Sequence, residues 1–190
     1  MDERGRRFEQ LVVPHLGAAF NFARWLTRND HDAQDVVQEA ALRSLRFLDG
    51  LRGDEARPWL LGIVRNTTWS WLQANRPAEL TSRDDETEPQ IAAPSSDEPE
   101  ASAIRRAEAR LLNEAIAALP PALREVIVLR ELEDLSYRQI AQIADIPMGT
   151  VMSRLARARR LLSQSVKVIE AAADRQEMRS HAYSFREICW

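Results

Sequence analysis

The chain has 190 residues, 45 % hydrophobic and 29 % charged, which is the balance of an ordinary folded protein with room for one domain or two small ones. No apolar run approaches the ~20 residues of a bilayer crossing, and Met1-Asp2-Glu3-Arg4 opens without the apolar core of a secretory signal. A single cysteine, Cys189, excludes an internal disulfide framework and fits a reducing cytoplasm. The net charge of −3 hides a polar distribution. Between Glu79 and Glu100 stand eight acids and one base, Arg83; between Val151 and Lys167 stand five bases and no acid. A polyanionic partner responds to the local cluster rather than to the sum.

The first block is helical by periodicity. Phe8, Leu11, Val12, His15, Leu16, Ala19, Phe20, Ala23 and Leu26 recur at three- and four-residue steps, one buried helical face. Pro14 interrupts the stripe and predicts a kink or a short helix handing over to a second. After the polar break Thr27-Arg28-Asn29-Asp30, Asp30 or Asp32 is placed to cap the next helix. That helix carries Val36, Val37, Ala40, Ala41, Leu45 and Leu48 on its apolar face. A Gly-containing segment, Asp49 to Asp54, precedes a third helix with Pro58 in its first turn, running from Trp59 to about Gln73.

Residues 78–100 change character: prolines 89, 94 and 99 stand among Ser, Thr and acidic residues, with Ile91 the one large aliphatic after Leu80. Such a stretch buries too little surface to offset its ordering entropy and reads as a flexible acidic linker. In the second block, Ile104, Ala107, Leu111, Leu112, Ala115, Ile116 and Leu119 form a helical stripe stopped by Pro120-Pro121. A helix over 122–132 follows, packing Val126, Ile127 and Leu129. Ser136 with Gln139 makes a capping box for a short helix ending near Ala144. Asp145-Ile146-Pro147 is a turn, and a longer helix runs from Met148 toward Ala172. No strand-like alternation competes, so the expected fold is all-α: a domain at 1–77, the linker at 78–100, a domain at 101–172 and a tail at 173–190 without an assignable motif.

A short capped helix, a tight turn and a second helix form a helix-turn-helix, which offers its second helix to the DNA major groove. Val151, Leu155, Ala158 and Leu162 fall on one side of that helix and pack inward. Thr150, Ser153, Arg154, Arg157 and Arg160 occupy the rest. Guanidinium groups read guanine bidentately, whereas hydroxyls and helix N-terminal amides suit phosphates. Gly149 and Thr150 are small enough for the helix start to approach the backbone closely. Arg157 is the best base reader of the set.

Further stretches accompany this element: Leu119-Pro120 and Arg130-Glu-Leu-Glu-Asp-Leu-Ser-Tyr137 before it, then Ile146-Pro-Met-Gly-Thr-Val-Met-Ser-Arg-Leu-Ala-Arg-Ala-Arg159 within it. The first block contains Asp32-Ala-Gln-Asp-Val-Val-Gln-Glu39 and Arg57-Pro-Trp-Leu-Leu-Gly-Ile-Val-Arg-Asn66. On these residues the chain resembles the extracytoplasmic-function (ECF) group of bacterial sigma factors, over residues 8–76 and 101–168. Two independent motifs in the expected order make the resemblance far more specific than a lone helix-turn-helix.

The resemblance implies a non-enzymatic RNA polymerase subunit that selects promoters and helps open the duplex. The second block would read the −35 element through Arg130, Gly149, Thr150, Met152, Ser153, Arg154 and Arg157. The first would read the −10 element through Asp49, Arg52, Gly53, Arg65 and Asn66. Asp35, Gln38, Glu39 and Arg43 would face the clamp helices of the polymerase β′ subunit, and the β flap is the other implied polymerase contact. Promoter DNA and an anti-sigma factor complete the implied partners, with no membrane insertion, no cofactor and no metal. The linker would thread through polymerase toward the RNA path. Trp59, Trp69 and Trp71 are available for stacking on bases, although Trp59 reads as inward-facing.

The sequence departs from the group's pattern in three places. Met152 stands where many relatives have Lys or Arg, Ala41 stands where an aromatic is common, and the basic run after the melting helix is thin, Gln73-Ala-Asn-Arg-Pro77. A stand-alone helix-turn-helix regulator is the competing class, but it would need a sensory pattern in the first block, and none is visible. An enzyme is disfavoured because His15, His31, His181 and Cys189 lack metal-ligand spacing and no Gly-rich phosphate loop is present.

Overall fold

A computed structural model of the chain describes residues 3–51, 55–75 and 109–165. Every regular element among them is helical. In the first block α1 spans Glu3–Leu11, α2 Leu16–Thr27, α3 Asp30–Arg46 and α4 Ala56–Asn75. In the second, α5 covers 109–117, α6 Pro121–Ile127, α7 Tyr137–Ala144 and α8 148–165. The linker at 78–100, the tail at 173–190 and the extension of α8 beyond 165 lie outside the described residues.

The described residues belong to two compact units. One holds the described residues up to 75 and those of 120–155; the other holds 109–119 and 156–165. In the second unit Ala115, Ile116, Leu119 and Ala158 are buried.

In the first unit α2, α3 and α4 pack on one another around Phe22, Val36, Leu60, Leu61 and Val64, all fully buried. Pro14 produces the predicted handover: a single 3-10 turn, Val13–His15, separates α1 from α2. That turn advances about 120° per residue instead of 100°, so the apolar phase restarts at Leu16. The core residues of α2 are consequently Ala19, Phe22, Ala23 and Trp25, whereas Phe20 and Leu26 of the predicted stripe are only half-buried. On α3 the buried face is Ala33, Val36, Ala40 and Ser44, with Val37, Ala41 and Leu45 at its margins.

The cap of α3 is Asn29, not Asp30 or Asp32. Asn29 is extended, and its side-chain oxygen accepts from the amides of His31 and Asp32 at 2.8 and 3.1 Å. Asp30 and Asp32 sit in the first turn, where their charge favours the positive end of the helix dipole. The third helix starts earlier than predicted, at Ala56, which places Pro58 inside its first turn as expected.

The predicted helix over 122–132 is two segments. Regular α6 ends at Ile127 and widens into a π-helical turn, Val128–Leu132. Val126, Ile127, Val128 and Leu129 are all buried, so the wider turn keeps consecutive apolar residues inward. The capping box at α7 is present in both directions: the Ser136 hydroxyl accepts from the Gln139 amide, and the Gln139 side chain accepts from the Ser136 amide at 3.0 Å. A cap of this kind contributes about 1 kcal/mol. Asp145 ends α7 with φ 52°, a left-handed conformation that Asp tolerates better than most residues, and Pro147 immediately precedes α8, its carbonyl accepting from the Thr150 and Val151 amides.

Candidate nucleic-acid interface

Arg130, in the π-helical turn, precedes the helix-turn-helix. Its guanidinium donates to the carbonyl of Leu135 at 2.8 Å, lies 3.7 Å from Asp134 and covers the Tyr137 ring at 5.5 Å. Half-buried and so engaged, it braces the approach to α7. On α8, Val151 and Leu155 are buried and anchor the helix, as the periodicity requires. Gly149, Met152 and Ser153 are exposed, Thr150 and Arg154 half-buried, and Arg157 exposed further along the same helix. The Ser153 hydroxyl donates to the Thr150 carbonyl at 3.0 Å, and a Cβ on Gly149 would meet open space.

The first block presents a second surface on α3. Gln38 and Glu39 are exposed, and Glu39 pairs with Arg43 one turn on at 2.7 Å. Arg43 also donates to the Thr67 hydroxyl at 3.4 Å, tying α3 to α4. Asp35 stands 3.7 Å from His31. Two large apolar side chains that the sequence reading left out lie open nearby, Leu42 at 55 % and Phe47 at 63 % exposure. Leu42 is one turn from Gln38, so helical spacing from the motif would have found it.

The −10 set is divided. Asp49 is exposed and lies 3.6 and 3.8 Å from Arg4 and Arg7, while Arg52 and Gly53 fall outside the described residues. Asn66 is exposed; Trp59, Trp69 and Trp71 are half-buried, and the Trp69 indole nitrogen has no hydrogen-bond partner among the described residues. Arg65 is not open. Its Nε donates to Glu125 of α6 at 2.7 Å, and Arg57 pairs with Glu133 just beyond the π-helical turn. Within this unit α4 packs against α7, and α2 against α6. Glu125, Glu133 and Arg124 are all buried there.

Burial and the Arg28 charge lower the Arg124 pKa to about 10, so this guanidinium stays protonated at neutral pH. Burial pushes the Glu133 carboxyl above its ordinary value, against the downward pull of Arg57. The folded state thus holds that proton more tightly than the unfolded chain. The contribution of Glu133 is complete below the unfolded pKa and is lost as pH rises through the folded one. Relative to Glu133→Gln, the native chain should lose stability as pH rises above the ordinary glutamate range; denaturant titrations from acid to neutral pH check it, and a relative gain would contradict it.

Sequence comparison assigns both helical segments to one family. Residues 11–77 match the model for sigma-70 region 2, and residues 109–162 match that for sigma-70 region 4. The RNA polymerase sigma-H factor of Pseudomonas aeruginosa is 34 % identical over 85 % of this chain and 87 % of its own. The chain belongs to the ECF sigma factors. It is a promoter-directing subunit whose partners are core RNA polymerase and promoter DNA. The ECF sigma-E factor of Escherichia coli is 38 % identical to this sigma factor over 72 % of the chain and 74 % of its own. Among solved structures, the sigma factor RpoE of Bartonella quintana, in complex with the anti-sigma factor NepR, superimposes with a TM-score of 0.64. It is 25 % identical, over 85 % of this chain and 97 % of that one. CnrH, in complex with the cytosolic domain of CnrY, gives 0.60 at 25 % identity, over 86 % and 90 %. Among the described residues no helix is long and apolar enough to cross a membrane.

Proposed function

We propose that this sigma factor divides its work between two surfaces, with domain limits at 1–77 and 101–172 joined by the 78–100 linker. α8 reads the −35 element through Gly149, Thr150, Met152, Ser153, Arg154 and Arg157, with Arg130 supporting the turn that aims it. Asp49, Arg52, Gly53, Arg65 and Asn66 engage the −10 element. Asp35, Gln38, Glu39 and Arg43 dock on the β′ clamp helices, and Leu42 and Phe47 add apolar area to that contact. The second domain meets the β flap. The observation that carries this reading is a capped helix-turn-helix and a separate exposed α3 face in the same chain. A stand-alone regulator gives no account of the region 2 match.

The protein supplies recognition and no bond-making chemistry of its own, and it acts in the cytoplasm. Arg65 is held on the Glu125 carboxylate, so its engagement of the −10 element requires that pair to part. An anti-sigma partner, as in the RpoE–NepR complex, would act by keeping the sigma factor from polymerase. Arg157→Ala tests the division of labour. It should weaken −35-dependent transcription about 10- to 100-fold, the worth of one bidentate base contact, with core-polymerase binding intact. The double variant Gln38→Ala/Glu39→Ala should instead lose polymerase capture. Equal loss of both activities in each variant would contradict the division.

A further inference from the structure

Met148 and Met152 are 50 % and 47 % exposed, the large apolar side chains of α8 that stand open to solvent. Four residues apart, they share one face of the helix and are separated by about 6 Å along its axis. Their surroundings leave that face unobstructed. Gly149 and Ser153 are exposed beside them, and the Ser153 hydroxyl is turned back onto the Thr150 carbonyl. Val151 and Leu155 already satisfy the inward side, so the methionines have no role in anchoring the helix.

Both lie in the first two turns of α8, the part of a recognition helix that reaches base edges. Side chains on a helix incline toward its N-terminus, here toward the groove. The residues beside them supply hydroxyls and the Arg154 guanidinium, and the 151–167 stretch carries bases and no acid, which suits a polyanion. A thioether donates no hydrogen bond and accepts only weakly, so Met152 cannot read guanine as an arginine would. The one apolar group exposed in the major groove is the thymine 5-methyl.

We infer that Met148 and Met152 form a thymine-methyl reader, giving this sigma factor a −35 preference for A·T pairs at two positions about two base pairs apart. The 6 Å spacing corresponds to about two base steps of roughly 3.4 Å each. Thioethers are flexible enough to follow methyl groups on either strand. The inference rests on α8 being the −35 reader and goes further by naming the chemical group that it recognises there.

The test uses the full chain assembled with core polymerase. A −35 sequence is first selected from a randomised library, and each thymine in it is then replaced singly by deoxyuridine, which lacks only the methyl group. Two of the replacements should weaken holoenzyme binding about fourfold each, the worth of one buried methyl-sized group. Met152→Ala should bind the thymine promoter more weakly and no longer distinguish uracil at one of those positions; Met148→Ala should do so at the other. Both side chains are exposed, so neither variant should impair folding. If selection yields a −35 sequence but deoxyuridine has no effect anywhere in it, the methyl reader is wrong while the −35 assignment stands. If the variants lose affinity equally on thymine and uracil DNA, the methionines act elsewhere and the inference fails. If no −35 sequence is selected at all, the inference and the −35 assignment both fail.

Discussion

Replacing Glu125 with alanine should cost about 3 kcal/mol of unfolding free energy, the lower end of the 3–5 kcal/mol for breaking a buried ion pair. Glu125 is 2 % exposed, sits between the buried Arg124 and Val126, and accepts from Arg65 at 2.7 Å. Removing its carboxylate leaves Arg65 without this partner in a region from which water is largely excluded. The side chain of Arg65 is 21 % exposed, so partial hydration keeps the cost at the low end of the range. Urea unfolding of the full chain measures it, and a loss under about 1 kcal/mol would show that the pair is not held in solution. The milder substitutions Glu125→Gln and Glu133→Gln together remove both carboxylates from Arg57 and Arg65. Each charge-assisted bond is worth about 1.5–3 kcal/mol. The free double variant should therefore bind a single-stranded −10 oligonucleotide roughly tenfold or more tightly than the native chain.

Phe22→Ala should cost about 3–5 kcal/mol, because a fully buried aromatic is replaced by a cavity in a core shared by α2, α3 and α4. Of those helices α3 carries the face proposed to dock on polymerase, so on that reading capture of core polymerase should fall along with the thermal midpoint. Leu42→Ala separates the two effects. At 55 % exposure it should change stability by no more than about 0.5 kcal/mol, yet weaken polymerase capture if the α3 face is the docking surface. Unchanged capture in Leu42→Ala would remove that residue from the interface.

The helix-turn-helix was legible residue by residue because its determinants are local. Ser136 and Gln139 are three residues apart, Asp145 and Pro147 mark the turn, and Val151, Leu155 and Ala158 keep helical spacing. The first block was legible in type but not in phase. Periodicity carried through Pro14 chose Phe20 and Leu26, whereas the 3-10 turn at Val13–His15 rotates Phe22 and Trp25 inward. The cap of α3 was missed by one position, since Asn29, Asp30 and Asp32 all have capping side chains and only backbone geometry selects Asn29. The π-helical turn left no pattern distinguishable from a buried α-helix. The Arg57–Glu133 and Arg65–Glu125 pairs join residues 76 and 60 apart in the chain. Nothing local marks such pairs, so the occupied state of Arg65 could be found only in three dimensions.

The most direct test of the whole account is run-off transcription by core RNA polymerase with and without the purified chain, on templates carrying promoters selected by the holoenzyme. Promoter-specific transcripts should appear only when the chain is present and should fall with Arg157→Ala. Transcripts that do not depend on the chain would contradict the account.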